Sequence, residues 1–330
     1  MSYSTVKKPR FFINTIEYLI QSGIGLSISD SNYEEYLSLY RTMPSKKFTL
    51  GGGLAWGGLS VNNIPNNIFT EQGFCAILGH NFNTAGNTNS DSIECRSQIN
   101  NDLFSMNPIV NWDTEFDGFS IATTNELVYS NAGSTMAVRA DNESHAMSVI
   151  FGDYYDMSSS PDLSLTMVKE YDTQMITTKG GSTLSNQNWN KPAMWGDHGS
   201  WELHNSENIF DHRLSKTGRR VWNLSFSYLD DGDLFGPNQM LDPNTLQSEI
   251  SGLTFDDGDV TSGVFANNIH TDINFYSQVI NKTLGGKIPF IFQPDNTYPD
   301  FAICIIDSSF LFDQVAPSVY NTSLTIREVW

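Results

Sequence analysis

Arg219-Arg220-Val221-Trp222-Asn223-Leu224-Ser225-Phe226-Ser227-Tyr228-Leu229 alternates along its length. Trp222, Leu224, Phe226 and Tyr228 fall on one side, and Asn223, Ser225 and Ser227 on the other. A period of two is the mark of a half-buried strand. The last stretch, Tyr320-Asn321-Thr322-Ser323-Leu324-Thr325-Ile326-Arg327-Glu328-Val329-Trp330, reads the same way, and its final valine and tryptophan predict an end bound into a sheet. Apolar runs at 288–292 and 301–306, with a shorter one at 309–312, have strand length. Residues 217–330 therefore read as one antiparallel β unit.

Outward from that unit, residues 59–152 carry short apolar runs at 74–78, 119–122, 135–139 and 147–151, separated by Asn, Gly, Ser and Asp clusters. Strands at such intervals predict a sandwich. Gly51-Gly52-Gly53 and Gly57-Gly58 around Trp56 mark a boundary. Residues 1–50 read as an arm or clasp, with a short strand or helix over 11–20 and a helix over 33–40 after the capping residues Asp30 and Ser31. Beyond 153, Leu163 to Met167 alternates, and Trp189, Trp195 and Trp201 crowd a segment expected to pack on the C-terminal unit. A helix is predicted over 271–284, with Ile273, Tyr276, Val279 and Ile280 sharing a face. The fold expected is mostly β, with two or more antiparallel β-sandwich (jelly-roll-like) domains and few short helices. Its parts are an arm at 1–50, a sandwich at 51–152, and a β domain at 153–330 with a surface excursion at 230–268.

Composition narrows the function classes. Across 330 residues the net charge is −19, while charged residues make up 17% and hydrophobic ones 39%. That balance argues against a nucleic-acid partner, whose phosphates need clustered Lys and Arg, and against an anionic membrane surface. No apolar run approaches the ~18 residues of a membrane span. Lys7-Lys8-Pro9-Arg10 and the apolar residues after it imitate a signal peptide, but Asn14 and Glu17 interrupt the run, so a soluble chain made without Sec export is expected. Cys75, Cys95 and Cys304 form no CxxC pair and read as buried free thiols.

No catalytic constellation stands out. His80, in Gly79-His80-Asn81, follows a predicted strand, and no second histidine lies at ligand spacing, so structural hydrogen bonding is its expected role. Asp231, Asp233, Asp257 and Asp259 lie in Asp-Gly-Asp clusters that could hold a structural calcium, although neither completes an EF-hand loop. No nucleophile elbow, phosphate loop or dinucleotide fingerprint is present, and no carboxylate pair singles itself out for glycoside hydrolysis. Trp189, Trp195, Trp201 and Trp330 are the candidate assembly contacts; sugar stacking is the other use for such a cluster. No catalytic residue and no cofactor are expected.

Phe74-Cys75-Ala76-Ile77-Leu78-Gly79-His80-Asn81-Phe82-Asn83-Thr84-Ala85-Gly86 resembles a segment of structural proteins of tailed bacteriophages, marine ones especially. There a strand ends in Gly-His-Asn inside a jelly-roll module similar to galactose-binding or discoidin-like domains. Ser160-Pro161-Asp162-Leu163, the strand from Gly218 to Tyr228, Gly285-Gly286-Lys287-Ile288-Pro289-Phe290 and Ile326-Arg327-Glu328-Val329-Trp330 resemble the same proteins. The last third is also distantly similar to minor and distal tail proteins of long-tailed phages. The resemblance implies a non-enzymatic virion protein of the tail, tail tip or tail–appendage junction, made in the bacterial host cytoplasm. Its partners would be identical subunits, in a ring or other symmetric oligomer, and other virion proteins. Alternatives are a carbohydrate-binding module recognising host glycans, for which Trp56 and Trp112 are candidates, and a capsid decoration or head-fibre protein.

Overall fold

A computed structural model of the chain describes residues 6–23, 27–28, 38–42, 47–49, 60–64, 68–70, 72–82, 85–86, 93–97, 107–110, 118–125, 134–140, 144–163, 166–170, 174–186, 219–234, 272–307 and 310–329. The strands in chain order are β1 (Arg10–Asn14), β2 (Ser27–Ile28), β3 (Phe48–Thr49), β4 (Ser60–Ile64), β5 (Gly73–His80), β6 (Ile93–Ser97), β7 (Asn107–Val110), β8 (Gly118–Thr124), β9 (Ser134–Ala140) and β10 (His145–Ala146). They continue as β11 (Ser148–Asp156), β12 (Thr166–Glu170), β13 (Gln174–Thr177), β14 (Thr183–Asn186), β15 (Arg219–Asp230), β16 (Phe290–Gln293), β17 (Ala302–Ile306), β18 (Leu311–Ala316) and β19 (Val319–Glu328). The protein is mostly β, as its alternation predicted.

Eleven of these strands form one antiparallel sheet, in the order β12-β15-β19-β17-β16-β1-β11-β5-β8-β7, with β18 added to β19. Strands from all three sequence stretches contribute to it. Arg10–Asn14, expected within an arm, is instead an inner strand between β11 and β16. Its side chains explain the placement: Phe11 and Ile13 enter one core, Phe12 enters the other, and all three are fully buried. A strand buried on both faces reads as a continuous apolar run, so the alternation test passes over it. Arg10 locks the register by a bidentate contact to Asp156 at 2.6 and 2.7 Å, with its guanidinium 4.4 Å from the Tyr154 ring centre.

The sheet is curled. β8 and β17 stand five strand spacings apart, roughly 24 Å on a flat sheet at about 4.8 Å per spacing. Phe119 of β8 and Phe301, next to β17, nevertheless meet edge to face at 5.5 Å. The concave side is filled by Phe12, Phe74, Leu78, Phe119, Ile121, Ile150, Ile291, Phe301 and Ile303. Trp222, Leu224, Phe226, Phe290, Phe292 and Ile326 form the other core, capped by Phe275, Val279 and Ile280.

Those capping residues belong to the predicted 271–284 helix, which differs in detail. It is a π-helix over Tyr276–Asn281 that continues into turns, and the Gly285 amide bonds the Ile280 carbonyl five residues back at 2.8 Å. Val279 and Ile280 are buried as expected, whereas Ile273 is exposed. Gly285 and Gly286 both take positive φ, 73° and 80°. A Cβ on Gly286 would lie 2.5 Å from Ile306, so this pair turns the chain tightly into β16.

Helix α1 (Thr15–Gln21) follows β1 without a loop, so the 11–20 stretch is both strand and helix. Asn14 caps it: its side chain accepts from the Glu17 amide at 3.1 Å and donates to the Glu17 carboxylate at 3.3 Å. Of the predicted 33–40 helix, Ser38–Tyr40 is a 3-10 turn and 33–37 lie outside the described residues, as does the glycine-rich boundary at 51–58.

Strand β15 corrects one expectation. Trp222, Leu224 and Phe226 are buried as the alternation requires, but Tyr228 is 82% exposed. A bulge between Phe226 and Leu229, with Tyr228 at φ 59°, resets the phase and buries Leu229 instead. Three smaller assemblies accompany the main sheet: β2-β4-β9-β6, β3-β10 and the hairpin β13-β14. No helix among the described residues is long and apolar enough to cross a membrane.

Candidate functional site

A buried polar cluster joins β11 to the π-helix. Asp153 sits on the face of β11 that also carries Val149 and Phe151. Lys282, the residue that ends the π-helix, reaches it at 2.6 Å. The Lys282 ammonium also donates to the Ile68 carbonyl at 2.9 Å and to Gln278 Oε1 at 2.7 Å, so all three of its protons are accepted. Asp153 Oδ1 accepts from the Thr70 amide at 2.7 Å and the Thr70 hydroxyl at 3.0 Å. The Thr15 hydroxyl donates to Oδ2 at 3.3 Å. Burial pulls the Lys282 pKa below its ordinary value, and Asp153 opposes that pull.

Chemically, an amine beside a carboxylate suits proton transfer or nucleophilic attack. Here the lysine is 0% exposed, and as an ammonium with three acceptors it offers neither a lone pair nor a free proton. The arrangement instead ties together α1, residues 68–70, β11 and the π-helix.

A second cluster lies across β15, β17 and β19. Arg220 donates through Nε to Glu328 at 2.7 Å, through Nη1 to both Asp300 oxygens at 2.9 and 3.0 Å, and through Nη2 to the Phe301 carbonyl at 3.2 Å. The Arg220 amide also donates to Glu328. The guanidinium lies 5.0 Å from the Trp222 ring centre. Burial works against the Arg220 charge, but Glu328 and Asp300 outweigh it and raise its pKa. For Glu328 burial prevails, pushing the carboxyl up to about 7 despite Arg220. Burial, and then Glu328 itself, raises the thiol of Cys304, its register partner.

This pair gives a pH prediction. Between the ordinary value of 4.5 and about 7 the folded protein holds a proton on Glu328 that the unfolded chain has lost. Stability from this group is therefore greatest below pH 4.5 and declines as pH rises through 7. Urea unfolding of Glu328→Gln between pH 5 and pH 8 should show a decline shallower than the parent's by up to about 3 kcal/mol. Equal slopes in the two proteins would refute the assignment.

His80 takes the structural role expected of it. Gly79, at φ 64°, makes the bulge at the end of β5. His80 is buried, its Nε2 is 2.8 Å from Ser120 Oγ, and its ring stacks on Phe82 at 3.9 Å. Asn81 accepts from the His145 amide at 2.7 Å, closing β5 against β10. The Gly-His-Asn signature thus spells a bulge, a buried ring and a loop tie.

The other sequence candidates divide between the described and undescribed parts. Asp231 and Asp233 lie in the one-turn helix Asp231–Leu234, where the Asp233 carbonyl accepts from the Tyr155 hydroxyl at 3.1 Å. Asp257, Asp259, Trp56, Trp112, Trp189, Trp195, Trp201 and Trp330 lie outside the described residues. Among the described residues no cluster of His, Cys, Asp and Glu is arranged to hold a metal ion. Cys75 and Cys304 are buried and form no disulfide. The clusters that dominate the structure, Asp153–Lys282 and Arg220–Asp300–Glu328, were not singled out from the sequence. Their available signal was a charge at an apolar-face position: Glu328 shares its strand face with Leu324 and Ile326, and Asp153 shares its face with Val149 and Phe151. No family model, curated protein or solved structure matches this chain.

Proposed function

We propose that this chain is a non-enzymatic structural protein of a tailed-phage particle, placed in the tail, tail tip or tail–appendage junction. It works by binding copies of itself and neighbouring particle proteins. One contrast carries the reading: the charged clusters are consumed in internal contacts, while apolar side chains stand outside on short strands. Met175, Ile176 and Leu184 of the β13–β14 hairpin are 71%, 61% and 60% exposed, and none joins either core. Exposed apolar groups on a strand pair suit protein contacts. The net charge of −19 keeps free copies apart until specific surfaces meet. The resemblance of the 74–86 segment and the C-terminal segments to virion proteins points the same way.

The jelly-roll-like sandwich belongs to this proposal. Between residues 60 and 156 the chain alternates between the main sheet and the four-stranded one, β4 to β5 to β6 to β7, then β8 to β9 and back to β11. Such alternation is how two layers of a sandwich are wound. Peptide mass spectrometry of gradient-purified particles, followed by immunogold labelling, tests the function. The chain should be found in the particles with gold at the tail; its absence from purified particles would overturn the proposal.

A further inference from the structure

We propose that the 174–186 hairpin of one copy docks on the free side of β18 in a second copy, a head-to-tail contact. The inference rests on the self-association reading above and names its surfaces. The hairpin is well formed at its tip: the Thr178 amide donates to the Ser182 carbonyl at 2.9 Å, the Gly181 amide donates to the Thr178 carbonyl at 2.9 Å, and Gly181 takes φ 82°. Its strands pair only with each other among the described residues. Ile176 and Leu184 stand directly opposite each other, and neighbouring positions along a strand point to opposite faces, so Met175 lies on the other side. A two-stranded hairpin with apolar groups exposed on both faces is marginal in water until something covers it.

Charge selects the occupant. Within Gln174–Asn186 the one charged residue is Lys179, at the tip, whereas the whole chain carries −19. A weakly basic apolar arm on an acidic body is complementary to a second copy of that body. The receiving edge follows from the topology. β18 pairs with β19 and with no other strand among the described residues. Leu311, Asp313 and Val315 of β18 are exposed, an acid between two apolar groups that matches the lysine-tipped apolar hairpin. Strand addition at such an edge supplies backbone hydrogen bonds as well as side-chain contacts. Because hairpin and edge are different surfaces, the contact is heterologous and propagates into a ring or a filament.

Light scattering of two double variants and their mixture tests this. Ile176→Asp with Leu184→Asp damages the hairpin; Leu311→Lys with Val315→Lys damages the edge. None of these four residues belongs to a core, so circular dichroism and melting should match the parent. The parent should self-associate, each variant alone should weaken at least ~30-fold, and the mixture should form dimers through its one intact hairpin–edge pair. A parent that stays monomeric would overturn self-association and the docking together. A parent that associates, with variants that associate equally well, would overturn the docking alone. Two weakened variants whose mixture gives no dimer would overturn the pairing of hairpin with edge.

Discussion

Lys282→Ala is expected to destabilise the fold by roughly 3–5 kcal/mol, the usual cost of leaving a buried charge without its partner. Removing the ammonium strands the Asp153 carboxylate inside the protein with hydroxyl and amide donors alone. It also takes the donor from the Ile68 carbonyl and from Gln278 Oε1. A domain's total stability is about 5–15 kcal/mol, so the loss would be a large share of it. Replacing both partners, with Lys282→Met and Asp153→Leu, should recover a substantial part of the loss, because neither charge then needs desolvation. Urea melts of the three proteins check this. A single-variant loss below about 1 kcal/mol would mean that the pair is hydrated and not buried.

Gly152→Ala is expected to cost 3 kcal/mol or more, by overpacking of backbone on backbone. Gly152 pairs with Asn14 across β11 and β1, and a Cβ there would lie 1.7 Å from the Ile13 carbonyl oxygen and 2.9 Å from the Thr15 amide nitrogen. No rotamer relieves a clash made by the first side-chain atom. β1 must then leave β11, which removes Phe11, Phe12 and Ile13 from both cores. Gly180→Ala in the hairpin turn is the control, with nothing within 4 Å of its Cβ and an expected change under about 1 kcal/mol. Thermal melts of the two variants should separate widely; a Gly152→Ala protein as stable as Gly180→Ala would show that β1 does not pair there.

These two positions also mark where the sequence was readable. Strands with one wet face, such as β15 and β19, announce themselves by alternation, and their bounds came out within a few residues. β1 gave no such signal, because Phe11, Phe12 and Ile13 are all buried and a three-residue apolar run suits strand and helix alike. Tyr228 misled because a bulge changes the phase without changing the residue pattern. The 271–284 segment was recognisably helical, but a helical period over all of it put Ile273 inside, whereas the helix begins at Tyr276 and Ile273, ahead of it, stands in solvent. Among the polar groups, His80 was legible because it follows the apolar run of β5, and its partner Ser120 lies on β8, the strand that pairs with β5. Asp153 and Lys282 are 129 positions apart, and only the folded sheet brings them together.

The central claim is that this molecule works by holding copies together. Native mass spectrometry of the purified full chain over a range of concentrations addresses it most directly. The account predicts masses at integer multiples of 36.9 kDa, with larger multiples gaining as concentration rises. A lone 36.9 kDa species at every concentration would contradict it.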